Sequence, residues 1–260
     1  MDLGLEGRRA LVTGGSRGIG FATALALSKE GVECTICART EESLNTAAAK
    51  ISDATGGVVR TLVADLSHPE QVSEAVTEAA GLMGGLDILV NNAARVSGGI
   101  PEGFADVTAE RMLVDFEEKL VGYVAATQTA APLMAEGGWG RVISMAGLSA
   151  RMGGNISAGV RNGAVSIFSK AAADSLGPSG ITVNVIHPGL TRTERMEEIL
   201  GLASGDTSIA DAISENIPTR RLVRPEEIAN MVTFLASDLA GSITGESIAI
   251  AGGLGDGIVY

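Results

Sequence analysis

Thr13-Gly14-Gly15-Ser16-Arg17-Gly18-Ile19-Gly20 stands between an apolar run, Ala10-Leu11-Val12, and a stretch from Ile19 to Glu30 whose apolar residues recur at helical spacing. Glycines in such a turn let the backbone reverse tightly and come close to a ligand. A helix that opens there presents unpaired N–H groups and the positive end of its dipole, the chemistry a pyrophosphate needs. A glycine-rich turn alone is a weak signal, but between a strand and a helix it is a strong one. The stretch therefore predicts the first strand–turn–helix unit of a dinucleotide-binding sheet.

Outward from the turn, short apolar, β-branched runs recur: ECTICA, VVRTLVAD, LDILVN, RVISM, ITVNVI and ESIAIAG. The stretches between them, such as Glu41 to Ser52 and Pro69 to Met83, are rich in Ala and Glu with helical periodicity. This alternation predicts an α/β fold: a doubly wound, Rossmann-type parallel sheet of about seven strands with helices on both faces. The 260 residues suit a single domain over 1–260. Glycines cluster where strands are expected to end, at the turn and again at Gly137, Gly138 and Gly140. Two segments, 95–106 and 189–218, lack the pattern and are expected to be irregular loops that shape a substrate pocket.

Composition narrows the function. A net charge of −12 argues against nucleic acid and anionic membrane surfaces as partners, and leaves a small-molecule substrate. No apolar run is long enough to span a bilayer and no signal region precedes the first strand, so a cytoplasmic protein is expected. Cys34 and Cys37 have a CxxC spacing, but three residues apart on a strand they face opposite ways, and no second Cys/His cluster completes a metal site.

The turn resembles that of the short-chain dehydrogenase/reductases, and the resemblance runs through the chain. Asp65-Leu66 in VADL is similar to the family's adenine-contacting acid segment, and Asn91-Asn92-Ala93-Ala94 to its NNAG stretch. Pro188-Gly189 with Thr191 and Thr193 resembles the stretch that lies along the nicotinamide. The resemblance implies a cofactor site built from Gly14, Ser16, Arg17, Gly18, Ile19, Gly20, Arg39, Asp65, Leu66, Asn91, Ala93, Pro188, Gly189, Thr191 and Thr193. Arg39 at the second strand's end and Arg17 in the turn favour a 2′-phosphate, hence NADP, because no carboxylate precedes Arg39 to bind a free ribose hydroxyl. The family pattern also implies a homodimer or homotetramer through the helices at about Thr108 to Glu136 and Ile156 to Leu176.

The family's catalytic pair, Tyr-x-x-x-Lys, is absent from this sequence: neither Tyr123 nor Tyr260 has a lysine four residues on. The resemblance puts Ala158 at the tyrosine position, Asn162 at the lysine position and Gly147 at the serine position, with Ser149 close by. Lys119 stands where the family has an asparagine, so a cation is expected in the cleft from the opposite side, unless Lys119 pairs with Asp115 one turn earlier. His187 is a further candidate for proton transfer, and Tyr123, Ser157 and Arg161 are candidates to line the pocket, Arg161 for an anionic substrate. These residues predict an atypical NADP(H)-dependent oxidoreductase acting on a carbonyl or alcohol carbon. The alternatives are a non-catalytic NADP-binding protein and an isomerase or lyase using the same cleft.

Overall fold

The computed structural model describes residues 2–94, 103–153, 155–202 and 207–255. Seven strands form one parallel sheet: β1 (Arg9–Thr13), β2 (Glu33–Ala38), β3 (Val59–Val63), β4 (Ile88–Asn91), β5 (Gly140–Met145), β6 (Ile181–Pro188) and β7 (Ser247–Ile250). Their order is β3-β2-β1-β4-β5-β6-β7, so the chain reverses direction across the sheet between β1 and β4. Val12 of β1 sits beside Ile36 on one side and Val90 on the other. Strands covered on both faces have no solvent side, which is why β5 and β6 are buried along their length, down to polar residues such as Ser144 and Asn184.

Helices α1 (Gly18–Lys29), α2 (Glu41–Thr55) and α3 (Pro69–Met83) connect the first four strands. Acidic residues open α2, a proline opens α3, and Gly56 and Gly84 close them in the left-handed region at φ 73° and 70°. The sheet separates two apolar layers. Val12, Cys34 and Ile36 pack with Leu27 and Val232, whereas Leu11, Cys37 and Leu89 pack with Val76 and Ala130. The two cysteines thus face opposite layers, and burial pushes both thiols up to about 12, where they are inert.

Beyond β4, α4 (Ala109–Phe116) runs through a π-helical stretch (Glu117–Val121) into α5 (Gly122–Glu136), and α6 (Ile156–Leu176) follows β5. Gly137 and Gly138 lead into β5 at its amino end, on the far side from any site at the strands' carboxyl ends, with Gly138 at φ 62° serving the chain reversal. The 189–218 segment is not irregular: it holds α7 (Glu194–Ile199) and α8 (Ser208–Glu215) around a small separate core of Leu200, Ala210, Ile217 and Leu222. The expected loop at 95–106 lies outside the described residues as far as 102; its end, Phe104–Asp106, is a single 3-10 turn. Finally, α9 (Pro225–Ala236) packs on α1. No helix among the described residues is long and apolar enough to cross a membrane.

Candidate active site

The reversal of strand order opens a cleft of about 480 Å³ at the carboxyl ends of β1, β2, β3 and β4. The turn supplies Gly14, Ser16, Arg17, Gly18 and Ile19; Arg39 and Ser43 stand past β2, Asp65 and Leu66 past β3, and Ala93 past β4. Gly14 and Gly18 take φ values of 67° and 56°, which a side chain would strain. Gly20 is needed for a different reason: a β-carbon there would lie 2.1 Å from the Gly14 carbonyl oxygen. The floor is tied by Thr13, whose hydroxyl donates to the Val90 carbonyl and accepts the Asn92 and Ala93 N–H groups. Hydrogen bonds from the Ser67 hydroxyl and N–H hold the Asp65 carboxyl below its ordinary value, so it is an anion at neutral pH.

Several expected cofactor residues are not part of this wall. Asn91 is buried within the sheet, its amide donating to Thr127 and Ser144 at 3.2 and 3.3 Å, and its neighbour Asn92 lines the cleft instead. Asn92 also steadies the turn, donating to the Thr13 carbonyl at 2.9 Å. Alternation along a strand puts consecutive residues on opposite faces, and nothing in an Asn-Asn pair says which one faces the ligand. Pro188, Gly189 and Thr191 do not line the cleft; Thr191 donates to the Gly189 carbonyl, and Gly189 allows the chain after β7 to approach. Thr193 does line it, together with Glu194, Arg195 and Glu118, none of which carried a sequence signal.

On the catalytic side, three expected residues come together. The Lys119 ammonium nitrogen donates to Asn162 Oδ1 and to the Ala146 carbonyl, both at 2.8 Å, and Asn162 Nδ2 donates to Ser149 Oγ at 2.9 Å. Lys119 is 5% exposed, and burial first, then the nearby Arg161 charge, holds its pKa well below the lysine range. It borders a small pocket with Thr13, Asn91 and Tyr123; Leu66 and Ala93 belong both to that pocket and to the cleft wall. Gly147 accommodates the arrangement, since a β-carbon there would lie 2.6 Å from Asn162 Nδ2. Ala158, expected at the tyrosine position, belongs to the first turn of α6 and donates its N–H to the Asn155 side chain.

Other candidates are taken up by packing. Asp115 pairs with Arg161 at 3.2 Å, not with Lys119, and both side chains are buried, so Arg161 is not presented to an anionic substrate. Tyr123 is buried and donates to the Met145 carbonyl. His187 has Nδ1 against the Gly147 carbonyl at 2.9 Å and Nε2 against Ser166 Oγ at 3.2 Å, which leaves neither ring nitrogen for a substrate. Ser157 is buried as well.

A family model described as enoyl-(acyl carrier protein) reductase matches residues 14–255. The chain belongs to the short-chain dehydrogenase/reductase family. Among its relatives, 3-oxoacyl-(acyl-carrier-protein) reductase FabG of Aquifex aeolicus is 33% identical, over 98% of this chain and 100% of that protein. The NADPH-dependent reductase BacG of Bacillus subtilis is 32% identical, over 95% of this chain and 97% of its own length. Of solved structures, L-sorbose reductase from Gluconobacter frateurii, complexed with NADPH and L-sorbose, superposes with a TM-score of 0.91 at 30% identity, covering 99% of this chain and 100% of that one. Members of one family share a scaffold and can differ in site chemistry.

Proposed function

We propose that this short-chain family member is an NADP(H)-dependent reductase of a small carbonyl compound in which Lys119, Asn162 and Ser149 stand in for the missing tyrosine and lysine. The cleft fits the cofactor: its glycine turn admits a pyrophosphate, and Arg17, Arg39 and Ser43 are there to meet a 2′-phosphate. When bound, NADPH supplies the hydride that reduces a carbonyl carbon.

The observation that carries the reading is the continuous chain from Lys119 through Asn162 to Ser149. An amide can present either end, and the Lys119 ammonium fixes it with Oδ1 inward. Asn162 Nδ2 is thereby aimed at Ser149 Oγ, whose lone pair it occupies. The Ser149 hydroxyl proton is left to donate to a substrate oxygen, a preorganised donor rather than a strong acid. With alanine at position 158, such a site is a weak reductant of generic ketones and depends on a substrate that seats its oxygen well.

Burial of Lys119 within the protein favours a second reading, a non-catalytic NADP-binding protein. Absorbance of NADPH across a broad carbonyl panel separates the two. Ser149→Ala is expected to lower kcat/KM about 10²–10³-fold, as removal of one such donor does, with NADPH affinity unchanged. No oxidation with any carbonyl, in a protein that binds NADPH, leaves the second reading standing.

A further inference from the structure

We infer that His187 is a positioning residue: its ring braces the turn after β5 against α6 and so holds Ser149 within hydrogen-bonding reach of Asn162. The inference rests on the reading that Ser149 donates to a substrate oxygen. The ladder between β5 and β6 ends where Ala146 donates its N–H to the Ile186 carbonyl at 2.8 Å. Gly147, the next residue, lies beyond that ladder, and its carbonyl is met by the ring of the residue that follows Ile186, with His187 Nδ1 2.9 Å away. The Ala150 N–H, from the same turn, shares that carbonyl at 3.1 Å. At the other end of the ring, Nε2 stands 3.2 Å from the hydroxyl of Ser166, one helical turn past Asn162 on α6. One imidazole thus touches both elements that the Asn162–Ser149 bond joins.

These partners dictate a single form of the ring. A carbonyl only accepts, so Nδ1 carries the proton, and in the neutral ring Nε2 then accepts from the Ser166 hydroxyl. That hydroxyl also lies 3.3 Å from the Asn162 carbonyl, which takes its proton only when Nε2 is itself protonated. Burial above all, with the neighbouring Arg151 and Lys119, holds the ring's pKa below 6.5 against the pull of the Gly147 carbonyl, so the neutral form is the one present at neutral pH. The fit around the turn is close. It supplies the Ala146 carbonyl to Lys119 and the Ser149 hydroxyl to Asn162, and a β-carbon on Gly147 would lie 2.6 Å from Asn162 Nδ2. A small shift of the turn therefore alters both bonds at once.

The side-chain amide resonances of Asn162, assigned on isotope-labelled protein by their loss in Asn162→Asp, test the brace directly. His187→Ala is expected to shift them. His187→Asn, whose amide nitrogen falls where Nδ1 stood and can still donate to the Gly147 carbonyl, is expected to return them to the wild-type position. Ser166→Ala removes only the far anchor and shifts them in the same direction by less. With a carbonyl that the NADPH panel identifies, His187→Ala lowers kcat about 10²-fold, the cost of a small misplacement, while the NADPH dissociation constant is unchanged and His187→Asn recovers most of the loss. Resonances that stay in place in both His187→Ala and Ser166→Ala overturn the brace, and so does a His187→Asn protein that behaves as His187→Ala. Unchanged kcat in His187→Ala overturns the positioning role as well. If the resonances shift as expected but the wild type reduces no carbonyl, the brace stands and the reading of Ser149 as donor falls.

Discussion

Lys119 differs from the other three lysines, all exposed, because its ammonium has exchanged water for two protein acceptors. If its role is that proposed, Lys119→Ala abolishes turnover while NADPH still binds, and Lys119→Arg also fails, since a larger guanidinium cannot reproduce the bond to Asn162. Burial also sets a pH dependence. With a folded-state pKa well below 10.5, the native protein holds fewer protons on Lys119 than the unfolded chain does, so stability rises with pH up to about 10.5. His187, lowered from 6.5 mainly by burial, acts in the same direction: its contribution is present above about 6.5 and is lost as pH falls. Urea unfolding from pH 5 to 10 should show both rises, and Lys119→Met should lose the upper one. Arg39→Asp removes a cation and adds an anion at the end of β2, so it should turn a preference for NADPH of roughly tenfold or more into one for NADH, as read by dissociation constants. The turn glycines and Arg39 were legible because backbone room and charge are local properties. Asn91 was not, since only the sheet decides that it points inward and Asn92 toward the cleft.

At the scale of elements, the rod formed by α4, the π-helical stretch and α5 sets which side chain faces which space. Within the π-helical stretch, Glu118 reaches the cofactor cleft while Lys119 turns to the interior. Helical periodicity in the sequence marks the rod's extent, yet it suggests an Asp115–Lys119 pair that the fold does not make. The true partner, Arg161, lies on α6, and no local spacing links residues so far apart in the chain. Removing one member of a buried pair strands the other charge, so Asp115→Asn should cost about 3–5 kcal/mol in chemical denaturation. A smaller conflict ties β5 to α6: Gly147→Ala should cost about 1–3 kcal/mol by crowding Asn162 Nδ2, and Asn162→Ala should relieve most of that penalty in a double-mutant cycle. The short helices α7 and α8 escaped the sequence reading because each offers fewer than three turns of periodicity, too little to stand out from loop composition.

Across the whole molecule, the inner strands of the parallel sheet are buried, and apart from Val58 and Val63 at the β3 edge much of the exposed apolar surface lies on helices. Leu113 and Val114 on α4, Val121 beside Lys119, and Val160 and Ile167 on α6 are exposed, Ile167 at 74%. The Asp115–Arg161 pair holds α4 against α6, so these side chains belong to neighbouring outer faces. Exposed apolar faces of adjoining helices are costly in water and are usually covered by a partner. A second copy related by a two-fold axis covers such a face with itself, which needs no complementary surface elsewhere. The surface also bears much of the net charge of −12, a repulsion between copies that salt screens and apolar burial must exceed. The expected outcome is a mass of two or four chains by light scattering at physiological salt. Ile167→Glu, which puts a charge onto this exposed apolar face without touching the cleft, should shift that mass toward one chain and leave NADPH affinity unchanged. A wild-type mass of one chain at micromolar concentration would show that the α4–α6 face is left to solvent.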